Sequence, residues 1–377
     1  MQERLLGGQI ALLINKPIRY GNTPWSSVPG CLDIMGVMTT DLRNKSNDCN
    51  REVIKVKTKI TEMLGIKYPI ICGGMLWLAK PELAAAISNA GGLGNVTAGN
   101  YDSGDELRAA LKKTKELTEK PFGVNITLLP SFRITMETYD DFFRVCCEEK
   151  VAAIEVSGSP ATKYLDMVHH AGVKIFHKVG AVRHAINIEK LGYDGIFAAG
   201  IEEGGHPLND DVTTMVLTPR IAESVKIPVV ATGGIADGRG LAAALCLGAE
   251  GVMMATRFIN TEECNVHKNI YEEIIRRQEQ DTTLICKSVK LQGRALINDL
   301  TKEILDLETK GAKMEELFPF LSGQRVKTAW QNGDVNYAAL MVGQSIGLIK
   351  DVLSCRELLD NMVVDADKII RQKSAYF

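Results

Sequence analysis

The chain has 377 residues, 45% of them hydrophobic and 24% charged, with a formal net charge of −2. This is globular composition, long enough for one large domain with an appendage or for two domains. The near-neutral charge gives no electrostatic footprint for nucleic acid, and no apolar run approaches the ~18 residues that cross a bilayer.

Residues 1–56 lack sustained periodicity. Turn formers (GNTPWSSVPG) and a polar stretch (DLRNKSNDCNRE) read as a poorly ordered N-terminal extension. Its apolar piece, QIALLIN, is too short for a signal-peptide core, and Glu3, Asp33 and Asp41 argue against a transit peptide. A cytoplasmic location is the expectation. Nine cysteines, an odd number with no CxxC pair, point to free thiols in a reducing compartment rather than disulfides. The paired ligand spacing of a zinc site is missing, so no metal is expected.

From Lys57 onward short apolar runs alternate with helical-period segments. Eight strands are expected, over 68–75, 92–99, 122–130, 152–158, 174–180, 195–205, 227–234 and 251–258. Each is followed by a helical or glycine-punctuated stretch. Continuous Val/Ile/Ala strands are those of a buried parallel sheet. Eight strand–helix units in succession predict a (β/α)8 TIM barrel over 57–264. A doubly wound open sheet is the alternative, but no GxGxxG follows the first strand. Residues 265–377 read as a mostly helical C-terminal domain or cap packed at the barrel.

Barrels carry their chemistry at the C-terminal ends of the strands, and the unusual residues collect there. Gly233-Gly234 ends the seventh strand and Ala255-Thr256 the eighth. Backbone amides at those two ends suit a phosphate; tight turns without a ligand are the plainer reading. Lys178, in an otherwise apolar strand, needs an anionic or electron-rich partner unless it reaches solvent. His206 sits in a glycine loop (GIEEGGHPLNDD) beside Asp210-Asp211. A neutral imidazole there can take a proton or bond an oxyanion; capping the next helix is the alternative. The other histidines lie on helices, beyond the barrel, or, for His177, in a possible core position.

The segments KITEMLGIKYPIICGGMLWLAKPELAAAISNAGGLG, PFGVNITLLP, KIFHKVGAVRHAINIEKLGYDGI, GGHPLNDD and IPVVATGGIADGRGLAAALCLGAEGVMMATRF resemble the nitronate monooxygenase (2-nitropropane dioxygenase) family, and the resemblance continues through LSGQRVKTAWQNGDV. It implies a TIM barrel with a helical second domain and one non-covalent FMN. Gly74, Met75 and Leu76 would border the isoalloxazine, Thr127 and Lys178 would contact the flavin, and Gly204 and Gly205 would lie on its face. Gly233, Gly234, Ala255 and Thr256 would hold its phosphate, and His206 matches the active-site histidine. The implied reaction converts alkyl nitronates and O2 to carbonyl compounds and nitrite. A homodimer is possible, with no nucleic-acid or membrane partner. The sequence departs from the family pattern at Leu76, Ala199, Leu208-Asn209 and Ala255. An FMN-dependent enoyl-[acyl carrier protein] reductase and an NAD(P)H:quinone reductase share the scaffold and are the alternatives.

Overall fold

The structure, a computed structural model, describes residues 56–129, 133–208 and 210–376, together with a short antiparallel pair, Arg19–Tyr20 with Thr23–Pro24. The expectation for 1–56 otherwise falls outside the described residues, as do Cys31, Cys49 and Asn209.

Eight parallel strands run β1 (Ile70–Cys72), β2 (Gly94–Thr97), β3 (Phe122–Leu128), β4 (Ala153–Gly158), β5 (Lys174–Val179), β6 (Gly195–Ala199), β7 (Val229–Thr232) and β8 (Gly251–Met254). They pair in sequence order, and β8 pairs with β1, Val252 opposite Ile70. The ring closes between β1 and β2: Leu93 N donates to Ile70 O and Cys72 N to Leu93 O, each at 2.9 Å. The fold is a (β/α)8 barrel.

Helices α2 (Pro81–Ala90), α3 (Gly104–Leu117), α4 (Met136–Glu148), α5 (Leu165–His170), α6 (Val182–Leu191), α7 (Thr214–Ala222) and α8 (Gly238–Cys246) follow the first seven strands. Before them, α1 (Lys59–Leu64) is started by a Thr58/Thr61 capping box and stopped by Gly65 in the left-handed region. Its first backbone amide bonds the Glu250 carboxylate, at the entry to β8. Ile60 and Leu64 of α1 join Ile66, Ile71, Leu93, Ala153, Phe176, Phe197, Val230 and Met253 in one buried cluster. The barrel lumen is therefore packed with apolar side chains and plugged from its N-terminal end.

After β8 the chain makes only a four-residue helix, α9 (Thr256–Ile259). It then forms α10 (Lys268–Arg276), an antiparallel hairpin of β9 (Thr282–Ile285) and β10 (Gly293–Leu296), α11 (Asp299–Thr309), α12 (Met314–Leu317) and α13 (Gly323–Asn332). Its register sets Thr282 opposite Leu296 and Ile285 opposite Gly293; neither TTLI nor GRAL alternates apolar and polar residues, and the sequence reading did not single the hairpin out within the mostly helical tail. The last helix, α14 (Cys355–Ser374), returns to pack against α8 and α2. A Cβ on Gly238 would stand 2.5 Å from Asp365 Cβ and 2.6 Å from Met362 O, so glycine is what permits that close crossing. Tyr68, entering β1, donates to Asp360 of α14 at 2.6 Å. α14 thus takes the outer-ring place that α9 is too short to fill. The cysteines among the described residues are all free, and all but Cys246 are buried. Among the described residues no helix is long and apolar enough to cross a membrane.

Candidate active site

Side chains of a strand alternate between faces, so the residue two beyond a lumen-facing one also faces the lumen, one layer higher. Two residues beyond Leu93, Ala153 and Phe176 stand Asn95, Glu155 and Lys178. Asn125 is in register with Glu155 and belongs to the same layer. The apolar filling thus gives way to polar groups at the C-terminal mouth. Asn95 Nδ2 donates to Cys72 O at 2.6 Å and to Glu155 Oε2 at 3.1 Å, and Gly74 N donates to the same carboxylate oxygen at 3.1 Å. A Cβ on Gly74 would fall 2.2 Å from the Asn125 amide, so this glycine lets the β1 loop lie across the layer.

Glu155 is 4% exposed. Burial is the main force on its carboxyl and lifts the pKa to about 7. Glu203 raises it further, while the Lys178 charge and the bonds from Gly74 and Asn95 oppose the shift. Lys178 Nζ donates to Glu203 Oε1 at 2.8 Å and to the His206 carbonyl at 3.3 Å. Burial also raises the Glu203 carboxyl, against the pull of Lys178. The partner that Lys178 requires is therefore supplied by the protein itself.

The loop between β6 and α7 carries His206. Glu202 accepts from Thr214 N (3.1 and 3.0 Å) and Thr214 Oγ1 (3.1 Å), which covers the first turn of α7. Gly204 lies against the 342–343 backbone: a Cβ there would meet Gly343 N and Val342 C at 2.6 Å. Gly205 has φ +83° and pairs with Arg294 of β10 in a two-way bridge, its N donating at 3.2 Å and its O accepting at 2.7 Å. The two glycines thus dock the loop onto the post-barrel segment. Gln292 completes the clamp, its side-chain amide donating to Pro207 O (3.1 Å) and Leu208 O (2.8 Å).

The same residue orients the imidazole. His206 Nδ1 is 3.1 Å from the Gln292 carbonyl oxygen. A carbonyl only accepts, so Nδ1 carries the hydrogen and Nε2 presents a lone pair. The residue is solvent-exposed, yet protein atoms crowd around the imidazole. That crowding lowers its pKa from the usual histidine value, helped by the Lys178 charge and opposed by the Gln292 bond. The side chain is neutral near pH 7 and able to accept a proton. Asp210, which the sequence sets close to it, pairs instead with Arg183 at 2.6 Å.

On the β7–β8 side, Gly233 (φ +102°) and Gly234 (φ +74°) turn the chain in the left-handed region. Thr214 Oγ1 lies within hydrogen-bond distance of Thr232 O (3.1 Å) and Gly233 O (2.9 Å) as well as Glu202, and its single hydrogen serves one of these acceptors at a time. Among the described residues the amides of Gly234, Ala255 and Thr256 find no acceptor in the protein. A Cβ added at Gly234 would meet the Glu202 side chain only at ordinary contact distance, its Cβ at 3.6 Å. Thr256 Oγ1 accepts from Gly343 N at 2.9 Å, which leaves its O–H free to donate. Unpartnered amides at a left-handed glycine turn fit a phosphate. Of the other expected contacts, Met75 is buried with its amide on Thr97 Oγ1 (3.0 Å), and Leu76 is 40% exposed. Thr127 Oγ1 is 3.5 Å from Asn125 Oδ1.

Sequence reasoning placed Asn95 at the chemical end of its strand but missed Glu155, Glu203 and Gln292 as members of this site. Glu155 left a usable signal, as the lone charge in the strand AAIEVSG. Gln292 left none, because it reaches His206 from 86 residues away.

The nitronate monooxygenase family model matches residues 57–365. The chain belongs to that family. It is an oxidoreductase, and members of the family are flavin-dependent. It is 34% identical to a 5-hydroxy-7a-methyl-1-oxo-octahydro-1H-indene-4-carboxyl-CoA dehydrogenase of Rhodococcus jostii, over 84% of this chain and 97% of that one. It is 29% identical to a probable nitronate monooxygenase of Staphylococcus saprophyticus, over 85% and 100%. Among solved structures it is similar to FabK from Thermotoga maritima, with TM-score 0.80 and 36% identity over 86% of this chain and all of that one.

Proposed function

We propose that this family member binds FMN at the C-terminal mouth of the barrel and carries out oxidative denitrification of alkyl nitronates with O2, giving a carbonyl compound and nitrite. The observation that carries the reading is His206: its Nδ1–H is tied to the Gln292 carbonyl, and its Nε2 lone pair is left for substrate.

The residues present suit a phosphorylated flavin. Gly234, Ala255 and Thr256 would hold the phosphate, with Gly233 shaping the turn. Gly74, Met75, Leu76, Thr127 and Lys178 would border the ring system. Gly204 and Gly205 serve the flavin side by fixing the His206 loop. When bound, the flavin supplies electron transfer from the nitronate to O2. The protein's own work is proton handling and positioning. Neutral Nε2 can accept the α-proton of a nitroalkane and so form the nitronate in place. Lys178 anchors the His206 carbonyl while paired to Glu203, and keeps a positive charge beside the mouth where an anionic substrate arrives.

A second reading, reduction of an enoyl thioester with NAD(P)H, is favoured by the likeness to FabK and to the Rhodococcus CoA-thioester enzyme. Nitrite release from a propyl nitronate, measured beside NADH and NADPH oxidation with a crotonyl thioester, separates the two. Nitrite as the main product supports the denitrification reading. Pyridine-nucleotide oxidation that depends on the thioester, without nitrite, replaces it with the second.

A further inference from the structure

Outside the mouth, a groove of about 390 Å³ lies between the β1–α2 loop, the entry to α10 and α13. Its volume lies in the range of small-molecule sites. Trp330 forms a buried floor and Trp77 a half-buried wall. Lys80, Lys268 and Lys327 line it, with no Asp or Glu among the lining residues. None of the three lysines has a carboxylate partner within ion-pair distance among the described residues. Glu82, near Lys80, is engaged by Lys113.

Local rules do not favour this arrangement. Lys268 is the first residue of α10, a helix with no acidic residue in its first turn. A cation there opposes the helix dipole. Lys80 sits at the N-cap of α2 without a capping hydrogen bond. Lys327 is held with its ammonium 4.8 Å from the centroid of the Trp77 ring, a cation–π contact that presets it on the groove wall. Two lysines at helix starts and a third on the same groove cost stability, and such departures from local consistency are expected at functional sites. Trp77 is also three residues from Gly74, no more than about 10 Å of chain, so the groove and the mouth share one loop.

We propose that the groove is a binding site for the phosphate-bearing nucleotide end of a substrate or cosubstrate whose reactive end lies at the mouth. The inference rests on the second reading above, because alkyl nitronates and O2 carry no nucleotide; anion binding is read here without turnover, so its failure is separate from the failure of either reaction. The chemistry recognised is a doubly charged phosphate or diphosphate beside a flat apolar wall. Two sources present it: the adenosine 3′,5′-bisphosphate end of an acyl-thioester cofactor, and the adenosine 2′,5′-bisphosphate or diphosphate portion of a dinucleotide reductant.

The test is isothermal titration of the flavin-loaded full chain with adenosine 3′,5′-bisphosphate, adenosine 2′,5′-bisphosphate, inorganic pyrophosphate and, as the uncharged control, adenosine. Saturable binding of at least one anion is expected, weakened tenfold or more in Lys268→Gln/Lys327→Gln and also reduced in Lys80→Gln. Flavin absorbance is expected to stay unchanged in all variants, which separates this site from the flavin phosphate. Tighter 3′,5′ binding assigns the thioester source, and tighter 2′,5′ or pyrophosphate binding assigns the dinucleotide. Absence of saturable anion binding, or affinity unaltered in the lysine variants, overturns the proposal.

Discussion

The two ends of the barrel lumen are built from the same strands and differ completely. At the N-terminal end Ile71, Leu93, Phe176, Phe197, Val230 and Met253 pack against Ile60 and Leu64 of α1. One alternation step higher the positions are Asn95, Asn125, Glu155 and Lys178, crossed by glycine loops. The lower layer secures the fold by burying apolar surface. The upper layer costs stability, since it withdraws carboxylates from water and leaves backbone amides without partners. A two-residue step along a strand separates the part that holds the barrel together from the part that performs chemistry.

That contrast breaks most sharply at Gly204. In Gly204→Val the side chain would displace the 342–343 backbone, undocking the loop from β10. Turnover is expected to fall by about a hundredfold or more, as for a misplaced catalytic group, while α1 and the lower layer keep the barrel folded. Circular dichroism beside steady-state assays checks this; unchanged turnover would show that the docking does not position His206.

The lower layer was legible in the sequence because burial on both faces writes continuous apolar runs, and each of the eight expected strands is present. The upper layer was legible only in part. Glycines at strand ends and the lone histidine among them marked the mouth. Lys178 stood out, but its partner did not, because Glu203 approaches from another strand's loop. Nor could spacing show that Gln292 supports the His206 ring, or that Asp210 turns away to Arg183. Such contacts are set by the closing of the fold and leave no periodic trace.

A smaller effect should separate the phosphate side from the histidine side. Thr256→Val removes one hydroxyl donor and the acceptor for Gly343 N. Flavin is expected to dissociate about tenfold more readily, the worth of one hydrogen bond to a charged group, with nitrite yield per bound flavin little altered. Flavin retention on dialysis measures the first quantity. Equal retention in both proteins would argue against a phosphate at this turn.

Glu155 sharpens the energetic side of the comparison. Folding raises its carboxyl from the ordinary value near 4.5 to about 7. The raised value stabilises the fold relative to its ionised form only at low pH, and the advantage is lost as pH climbs through the folded value. Glu155→Gln should therefore match the wild type below about pH 4.5 and gain on it up to about pH 7. The gap should then hold, at no more than about 3.5 kcal/mol. Thermal unfolding across that range gives the curve. A gap independent of pH would mean the carboxyl is not taken from water as its burial implies. The smallest expected shift concerns His206: the acid limb of the rate profile should lie below the usual histidine range, since burial lowers that imidazole.

The central claim is that Nε2 of His206 accepts a proton at a flavin-bearing mouth. The most direct measurement compares wild type and His206→Asn on a neutral nitroalkane and on the preformed nitronate, with flavin absorbance recorded for each. The account predicts that the variant keeps its flavin, loses roughly 10²–10⁴-fold on the neutral nitroalkane, and loses far less on the nitronate. Equal losses on both substrates, or an undiminished rate on the nitroalkane, would contradict it.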